Sequence, residues 1–145
     1  MNAIFDPTNY DPATDNFDPT ALYYDDGEDR NLLRETLKTL WLNSKTPVDV
    51  LWVGCVMGCH AMTWDAFAVI ANLNYYVSFG GAEIKIDLVV VGSDWWLERA
   101  EYDGSEWWEF KTLPTRQNNP MMFNQSWLKP EKYHNEPCEH TINVV

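Results

Sequence analysis

The chain has 145 residues, about the size of one typical domain, and its 46% hydrophobic content is enough to form a single core. With 22% charged residues, this composition excludes a wholly disordered chain. Ten Lys and Arg against 22 Asp and Glu give a net charge of −12, which disfavours direct binding to nucleic acid or to an anionic membrane.

The first 29 residues are predicted to form an acidic arm ahead of a single domain, residues 30–145, which ends in an irregular tail from about residue 115. The arm contains eight acidic residues and no Lys or Arg, and an aromatic residue followed by Asp-Pro occurs at Phe5–Pro7, Tyr10–Pro12 and Phe17–Pro19. Asp before Pro favours a turn, because Pro fixes φ and the carboxylate can accept from the amides that follow. Either the aromatic side chains attach the arm to the domain, or the arm docks on a basic partner.

The N-terminal sequence also bears on the compartment. Its first twenty residues have no positive charge and no apolar run, unlike a signal or transit peptide. The longest apolar stretches, such as Leu88–Val91, are far shorter than the ~20 residues that a membrane-spanning helix needs. We therefore expect a soluble, cytoplasmic protein that binds no membrane.

Two helices are predicted. The first begins near Asp29 and ends before Pro47, with apolar residues along Leu32–Trp41 spaced to form one stripe. The second is the segment TWDAFAVIAN, which begins at Thr63 because its hydroxyl can cap a helix. Its expected buried face consists of Trp64, Phe67, Ala68 and Ala71.

Strand patterns dominate the rest of the chain. The predicted strands are Val48–Gly54, Asn74–Phe79, Ile84–Val91, Trp95–Tyr102 and Ser105–Leu113. The last two flank Asp103-Gly104, a dipeptide that is typical of a tight hairpin turn. We therefore predict an α+β fold, with a mostly antiparallel sheet of about four to five strands, two helices packed on one face, and an irregular N-terminal arm and C-terminal tail.

The hairpin turn fixes which residues of the last two strands lie opposite each other. If Tyr102 pairs with Ser105, one face carries Tyr102/Ser105, Ala100/Trp107, Glu98/Glu109 and Trp96/Lys111, and the other carries Glu101/Glu106, Arg99/Trp108, Leu97/Phe110 and Trp95/Thr112. The second face is apolar away from the turn and is expected to meet the core, with Arg99 stacked on Trp108. The first face is left for solvent or a partner.

Five carboxylates crowd this hairpin, and like charges placed opposite each other destabilise a sheet. The predicted partner-binding residues are these acids and two tryptophans that we expect to be exposed: Glu98, Glu101, Asp103, Glu106, Glu109, Trp96 and Trp107. The acids can prevent edge pairing, bind a basic groove, or form a catalytic Glu98/Glu109 pair of the glycosidase kind. Catalysis also requires a cleft and a raised pKa, so no catalytic residue is assigned.

Cysteine and histidine suggest a second site. Cys55, Cys59, Cys138 and His140 have the ligand chemistry of a Cys3His zinc site, but their spacing differs from the usual one. Alternatively, Cys55 and Cys59 are small buried packing residues and Cys138 is free. A third alternative is a thiol nucleophile that uses Cys55 or Cys59 with a distant His. An odd number of cysteines without an export signal favours reduced thiols. We therefore predict no metal and no cofactor.

The segment Val48–Pro114, with its MTWDAF helix start and its WWLERAEYDGSEWWEF hairpin, resembles short acidic proteins of bacteriophages and other mobile elements. Small acidic phage proteins include anti-CRISPR and antirestriction inhibitors, several of which resemble DNA in charge. The resemblance implies this genomic setting and no particular site residues.

Together these observations favour a non-enzymatic acidic interaction protein. Its partner would be a basic, nucleic-acid-binding defence protein in the host cytoplasm, inhibited by charge mimicry or by steric blocking. Two other classes are considered: a small hydrolase-type enzyme with a carboxylate pair or a Cys/His centre, and a virion structural or assembly protein. A homodimer is also considered.

Overall fold

The computed structural model describes residues 5–21, 29–76 and 81–129. The chain divides into two compact units, Met1–Leu113 and Pro114–Val145. The first unit combines helices with mostly antiparallel sheets, which confirms the predicted α+β class.

Ten helices and strands are assigned within the described residues. In chain order they are β1 (Asp29–Asn31), α1 (Leu32–Leu42), β2 (Trp52–Cys55), β3 (Ala61–Met62), α2 (Trp64–Ala71), β4 (Asn74–Tyr76), β5 (Leu88–Val91), β6 (Trp95–Tyr102), β7 (Ser105–Thr112) and α3 (Gln125–Leu128). Five strands form an antiparallel sheet in the order β3-β2-β5-β6-β7, and β1 pairs with β4 in a separate two-stranded sheet.

Both helices of the first unit begin at a side-chain cap. The Asn31 side chain accepts a hydrogen bond from the Arg34 backbone N–H at 3.1 Å, and Thr63 Oγ1 accepts from the Ala66 backbone N–H at 3.2 Å. The Thr63 cap confirms the predicted start of α2. Helix α1 starts later than the predicted cap at Asp29 because residues 29–31 pair with β4.

The core lies between the five-stranded sheet and the two helices. Val53, Val90 and Leu97 occupy one row across the sheet and are fully buried. The same core includes apolar residues of both helices: Leu32, Leu33, Leu40, Phe67 and Ala71. Both helices therefore cover the same face of the sheet, as predicted.

Two predicted strands are shorter than their sequence patterns indicated. Residues Pro47–Asp49 form a 3₁₀ turn, so β2 begins only at Trp52. Strand β5 begins at Leu88 because the backbone amides of Glu83 and Ile84 donate to a side-chain carboxylate instead of a neighbouring strand. The predicted strand over 74–79 is observed as β4, and its last residues lie outside the described part of the chain.

Residues 5–21 lie against α1. Arg34 donates to both carboxylate oxygens of Asp15 at 2.7 Å, and Lys38 Nζ donates to the Pro12 and Asp15 carbonyls at 2.7 Å. The Phe17 ring lies under the Arg34 guanidinium, 4.5 Å from it. Each Asp of the three Asp-Pro units accepts from the amide two residues on, at Thr8, Ala13 and Thr20. Phe17, the Asp15 carboxylate and two backbone carbonyls thus bind the arm to the cations of α1.

The second unit is described over residues 114–129, which are solvent-exposed. It contains the single-turn helix α3, where Asn124 Oδ1 accepts from the Ser126 backbone N–H at 3.0 Å. The rest of the predicted irregular tail, residues 130–145, lies outside the described residues. Among the helices described, none has the length and apolar character that crossing a membrane requires.

Candidate functional site

The β6–β7 hairpin has the register that its turn predicts. All eight cross-strand pairs occur, from Trp95↔Thr112 to Tyr102↔Ser105. Asp103 has a φ of 50° and Gly104 a φ of 84°, which is the conformation that a two-residue type I′ turn requires. The division of the hairpin residues between two faces therefore follows the sequence analysis.

The inner face of the hairpin carries a buried ionic cluster. The Arg99 side chain is 2% exposed and donates to Glu35 of α1 at 2.9 Å and to Glu106 of β7 at 3.0 Å. Its guanidinium also lies 4.8 Å from the centre of the Trp108 ring, which confirms the predicted cation–π contact. One buried cation thus compensates two carboxylates.

Glu106 requires a correction, because its predicted place in an exposed acidic patch is wrong. It is only 1% exposed, and its carboxylate accepts from the backbone amides of Glu83 at 2.6 Å and Ile84 at 3.0 Å as well as from Arg99. The physical reason is the register, since Glu106 points to the face that α1 covers. This carboxylate fastens the loop before β5 and cannot contact a partner.

Glu35 and Tyr75 complete the cluster, which we call the buried carboxylate cluster: Glu35, Tyr75, Arg99 and Glu106. The Tyr75 hydroxyl donates to Glu35, and burial raises the pKa of the Glu35 carboxyl although Arg99 and Tyr75 partly oppose this rise. The pKa of Tyr75 is also raised, first by burial and then by the Glu35 charge. Sequence reasoning missed Glu35, although its i+3 spacing from Leu32 places it on the buried side of α1.

The outer face is the side of the five-stranded sheet turned away from the two helices. The register places two rows of residues on it: Trp52, Val91, Trp96 and Lys111 in one row, and Gly54, Val89, Glu98 and Glu109 in the next. Trp52 was not among the predicted site residues, but the inward position of Val53 implies that Trp52 points outward. Trp52, Trp96 and Trp107 are half-buried, so Trp96 and Trp107 are less accessible than the expected exposed tryptophans.

The predicted opposition of two carboxylates exists on this outer face. Glu98 lies directly opposite Glu109, and Lys111 Nζ lies 3.8 Å from Glu98 and 3.2 Å from Glu109. Trp96 Nε1 donates to Glu98 at 3.0 Å, which orients that carboxylate. One cation again serves two carboxylates, but here all three side chains are about 40% exposed, at 39%, 40% and 44%.

Further negative charge lies at the hairpin tip. Glu101 and Asp103 are exposed there beside Tyr102, which is 64% exposed. Within the described residues, neither carboxylate has an ion-pair partner. The exposed acids of the hairpin are therefore four of the five predicted ones, and two of them are partly compensated.

An open groove of about 500 Å³ runs along β7, which is an edge strand of the sheet. It is lined by residues of the arm, of α1 with its C-terminal end, and of β7: Pro19, Thr20, Thr39, Leu42, Asn43 and Trp107–Lys111. An edge strand beside a groove is the geometry that accepts an extended segment of a partner. The outer face and this groove share Trp107, Glu109 and Lys111.

The predicted cysteine set is only partly described. Cys55 is buried, whereas Cys59 is exposed, so the expectation that both are buried packing residues is wrong for Cys59. Cys138 and His140 lie outside the described residues. In the part of the chain that the structure describes, no three His, Cys, Asp or Glu side chains form a group that could hold a metal ion.

The surface of the hairpin is suited to binding positively charged groups. Its exposed carboxylates attract cationic groups, and its half-buried tryptophans offer flat surfaces beside them. The Glu98/Glu109 pair lies on the open face of a sheet and shares Lys111, which differs from the enclosed carboxylate pair of a hydrolase. Comparison of the chain with protein-family models, with curated proteins and with solved structures finds no match.

Proposed function

We propose that this protein is a non-enzymatic interaction protein whose outer hairpin face, together with the exposed hairpin tip, binds a positively charged partner protein. The observation that carries the proposal is the local charge imbalance. Glu98 and Glu109 share Lys111, and Glu101 and Asp103 at the tip have no ion-pair partner within the described residues. This surface stays negative after its internal pairing, so a cationic surface gains Coulomb energy by approaching it.

The aromatic residues give this face its expected anchors. Tryptophan is enriched among the residues that dominate binding energies, because a large ring buries much apolar area. Trp96 is already held by its hydrogen bond to Glu98, so little side-chain freedom remains to be lost on binding. Trp107 lies at the groove along β7, where it can contact an extended segment of the partner.

The partner class follows from the overall charge and from the resemblance to phage proteins. A protein with a net charge of −12 is complementary in charge to the basic surfaces with which other proteins bind nucleic acid. We propose that it comes from a phage or mobile element and inhibits a nucleic-acid-binding defence protein of the host, as anti-CRISPR or antirestriction proteins do. Because Glu106 is internal, the proposed contact acids are Glu98, Glu101, Asp103 and Glu109.

The test begins with capture of partners from a host lysate and continues with the purified partner. We expect the affinity to fall steeply between about 50 and 500 mM salt, because screened charges attract less. The double variant Glu98→Gln/Glu109→Gln should weaken binding and flatten this salt dependence. The matched control is Asp65→Asn/Glu83→Gln, which removes the same charge elsewhere on the surface and should leave affinity within about twofold. Equal losses in both variants, or an affinity that salt does not change, would refute the proposal.

A second candidate function, an assembly protein, is favoured by the surface around α2. Val69 is 78% exposed and Ile70 58% exposed, and Ile70 borders an apolar groove of about 300 Å³. Exposed apolar surface of this kind is typical of self-association sites. Sedimentation of the full chain at about 100 µM tests this candidate, since a monomer there excludes assembly through α2, and an oligomer should dissociate on Val69→Asp.

A further inference from the structure

Both described cysteines lie at the turn between β2 and β3. The Cys55 carbonyl accepts from the Gly58 backbone N–H at 2.8 Å, and the Cys55 backbone N–H donates to the His60 carbonyl at 3.0 Å. Gly58 has a φ of 74°, which lets the chain reverse within four residues. Cys59 therefore lies within the closed turn, next to the residue whose backbone pairs with Cys55.

The Cys55 sulfur occupies a small nest of hydrogen-bond donors. The His60 backbone N–H donates to Cys55 Sγ at 3.3 Å. The amide and side chain of His60 and the amide of Cys59, against the opposing effect of burial, lower the pKa of the Cys55 thiol to about 7. Backbone amides favour the thiolate because they donate to negative charge.

Charged groups from the neighbouring loop support the same state. Lys85 forms an ion pair with Asp87 at 2.8 Å. Asp87 raises the pKa of Lys85, and the charge on Cys55 raises it further by a smaller amount. The titratable groups around Cys55 are therefore Cys59 and His60 on its own turn, and Lys85 and Asp87 on the loop before β5. With a pKa near 7, about half of the Cys55 thiol is ionised at neutral pH.

We propose that Cys55 and Cys59 form an oxidation site in which the Cys55 thiolate reacts with a hydroperoxide and Cys59 closes a disulfide across the turn. This site is separate from the outer hairpin face and does not depend on the proposed binding function. Its substrate class is a small hydroperoxide, with hydrogen peroxide as the simplest member. The product state differs from the reduced protein in one covalent link at the end of β2.

The reaction balances in two steps. First, Cys55 S⁻ attacks one oxygen of the hydroperoxide, so that an S–O bond forms, the O–O bond breaks and the alkoxide or hydroxide leaves and takes a proton from water. The sulfur is oxidised to a sulfenic acid, and the hydroperoxide is reduced to an alcohol or to water. Second, the Cys59 sulfur attacks the Cys55 sulfur, so that the S–S bond forms, the S–O bond breaks and water leaves with the Cys59 proton.

The turn offers the space that the second step needs. A disulfide requires Cβ atoms roughly 3.5–4.5 Å apart. The backbone hydrogen bonds from Gly58 to Cys55 and from Cys55 to His60 close the turn that contains Cys59, and the amide of His60, the next residue after Cys59, contacts Cys55 Sγ at 3.3 Å. Cys59 is exposed, and no atom lies within 4 Å of the position that a side-chain Cβ at Gly58 would occupy. The turn can therefore adjust without displacing packed residues.

The experiment uses the full chain carrying Cys138→Ser, which removes the third thiol. After one equivalent of hydrogen peroxide, intact mass should fall by about 2 Da and peptide mapping should show a Cys55–Cys59 link. In the added Cys59→Ser variant, oxidation should stop at a sulfenic acid on Cys55 that dimedone traps. In the added Cys55→Ser variant, Cys59 should be oxidised at least tenfold more slowly than Cys55 is in the Cys59→Ser variant. If Cys59 in the Cys55→Ser variant oxidises as fast as Cys55 in the Cys59→Ser variant, or if no Cys55–Cys59 link forms, the proposal is overturned.

Alkylation of the wild-type chain provides a test that needs no substitution. The rate at Cys55, taken relative to its own maximum at high pH, should reach half of that maximum near pH 7. Replacing Lys85 with Met should shift this midpoint upward, because it removes the cation that faces the thiolate. A midpoint at Cys55 equal to that of a free cysteine peptide would contradict the proposed reactivity.

Discussion

Two arrangements of one cation between two carboxylates occur on opposite faces of the same hairpin. Arg99 joins Glu35 and Glu106 on the inner face, and Lys111 joins Glu98 and Glu109 on the outer face. The inner side chains are at most 2% exposed, whereas the outer ones are about 40% exposed, at 39–44%. The comparison separates what a charge does for the fold from what it can do for a partner.

The difference in solvent exposure determines the role of each set of charges. Removing three charged groups from water is costly, and the inner set is tolerated because almost every polar atom is paired, including two loop amides that donate to Glu106. The outer charges keep their water, so their mutual pairing contributes little to stability. The inner set therefore serves the fold, and the outer set keeps charge available for binding.

The largest expected effect is that of Arg99→Met. This change leaves Glu35 and Glu106 buried without their common cation, and removing one partner of a buried pair costs about 3–5 kcal/mol. We expect the free energy of unfolding in urea to fall by this amount, or the chain to be unfolded by circular dichroism. Adding Glu35→Gln and Glu106→Gln to this variant should restore part of the loss, because the uncompensated charges disappear. A loss below about 1 kcal/mol would show that the buried carboxylate cluster does not hold the fold.

The next largest effect is expected for Glu106→Gln, and it contrasts with the effect of Glu109→Gln in the same strand. Glu106→Gln weakens the bonds to Arg99 and to the amides of Glu83 and Ile84, so the free energy of unfolding should drop by about 2–3 kcal/mol. Glu109→Gln changes an exposed pair and should alter stability by less than about 0.5 kcal/mol. Urea unfolding of both variants under one buffer condition measures the difference. Equal effects would contradict the distinction between the two faces.

The hairpin also shows which features the sequence specifies locally. The Asp103-Gly104 turn determined all eight pairs, and the Thr63 cap determined the start of α2, because both depend on neighbouring residues. Glu35 and Arg99 are 64 residues apart, and no local pattern joins them. For the same reason, the short β5 was not predictable, since it follows from a contact between Glu106 and a loop more than twenty residues earlier. The register placed Glu106 on the inner side, but no local pattern showed that α1 and this loop cover the strand so close to the turn.

A smaller effect concerns the pH dependence of stability. Burial raises the pKa of Glu35 in the folded state above its unfolded value of about 4.3, so the folded state binds more protons than the unfolded state in this range. The stabilising contribution is complete below the unfolded pKa and is lost as pH rises through the folded pKa. Glu35→Gln removes this dependence, so the difference in unfolding free energy between wild type and Glu35→Gln should decrease from pH 4.5 to pH 8.

Asp15 provides the control for this pH measurement, because its pKa is shifted in the opposite direction. Arg34 lowers the pKa of Asp15, although burial opposes it, so its contribution is present above the unfolded pKa and is lost only in strong acid. Asp15→Asn should therefore shift stability by a constant amount over pH 4.5 to 8. A wild-type minus Glu35→Gln difference that stays level, or that rises with pH, would mean that the Glu35 pKa is not raised in the folded state.

A small change in stability is also expected for Lys111→Met, the outer counterpart of Arg99→Met. Its loss leaves Glu98 and Glu109 opposed without a cation, but water screens both, so the free energy of unfolding should change by at most about 1 kcal/mol. The same variant makes the outer face more negative by one charge. Its affinity for a basic partner should therefore rise at low salt by severalfold and converge with wild type at high salt. Lys85→Met, which removes a cation outside this face, is the matched control and should leave the affinity within about twofold. An affinity that falls on Lys111→Met would mean that Lys111 itself contacts the partner, and the outer face would then recognise a carboxylate and not a cation.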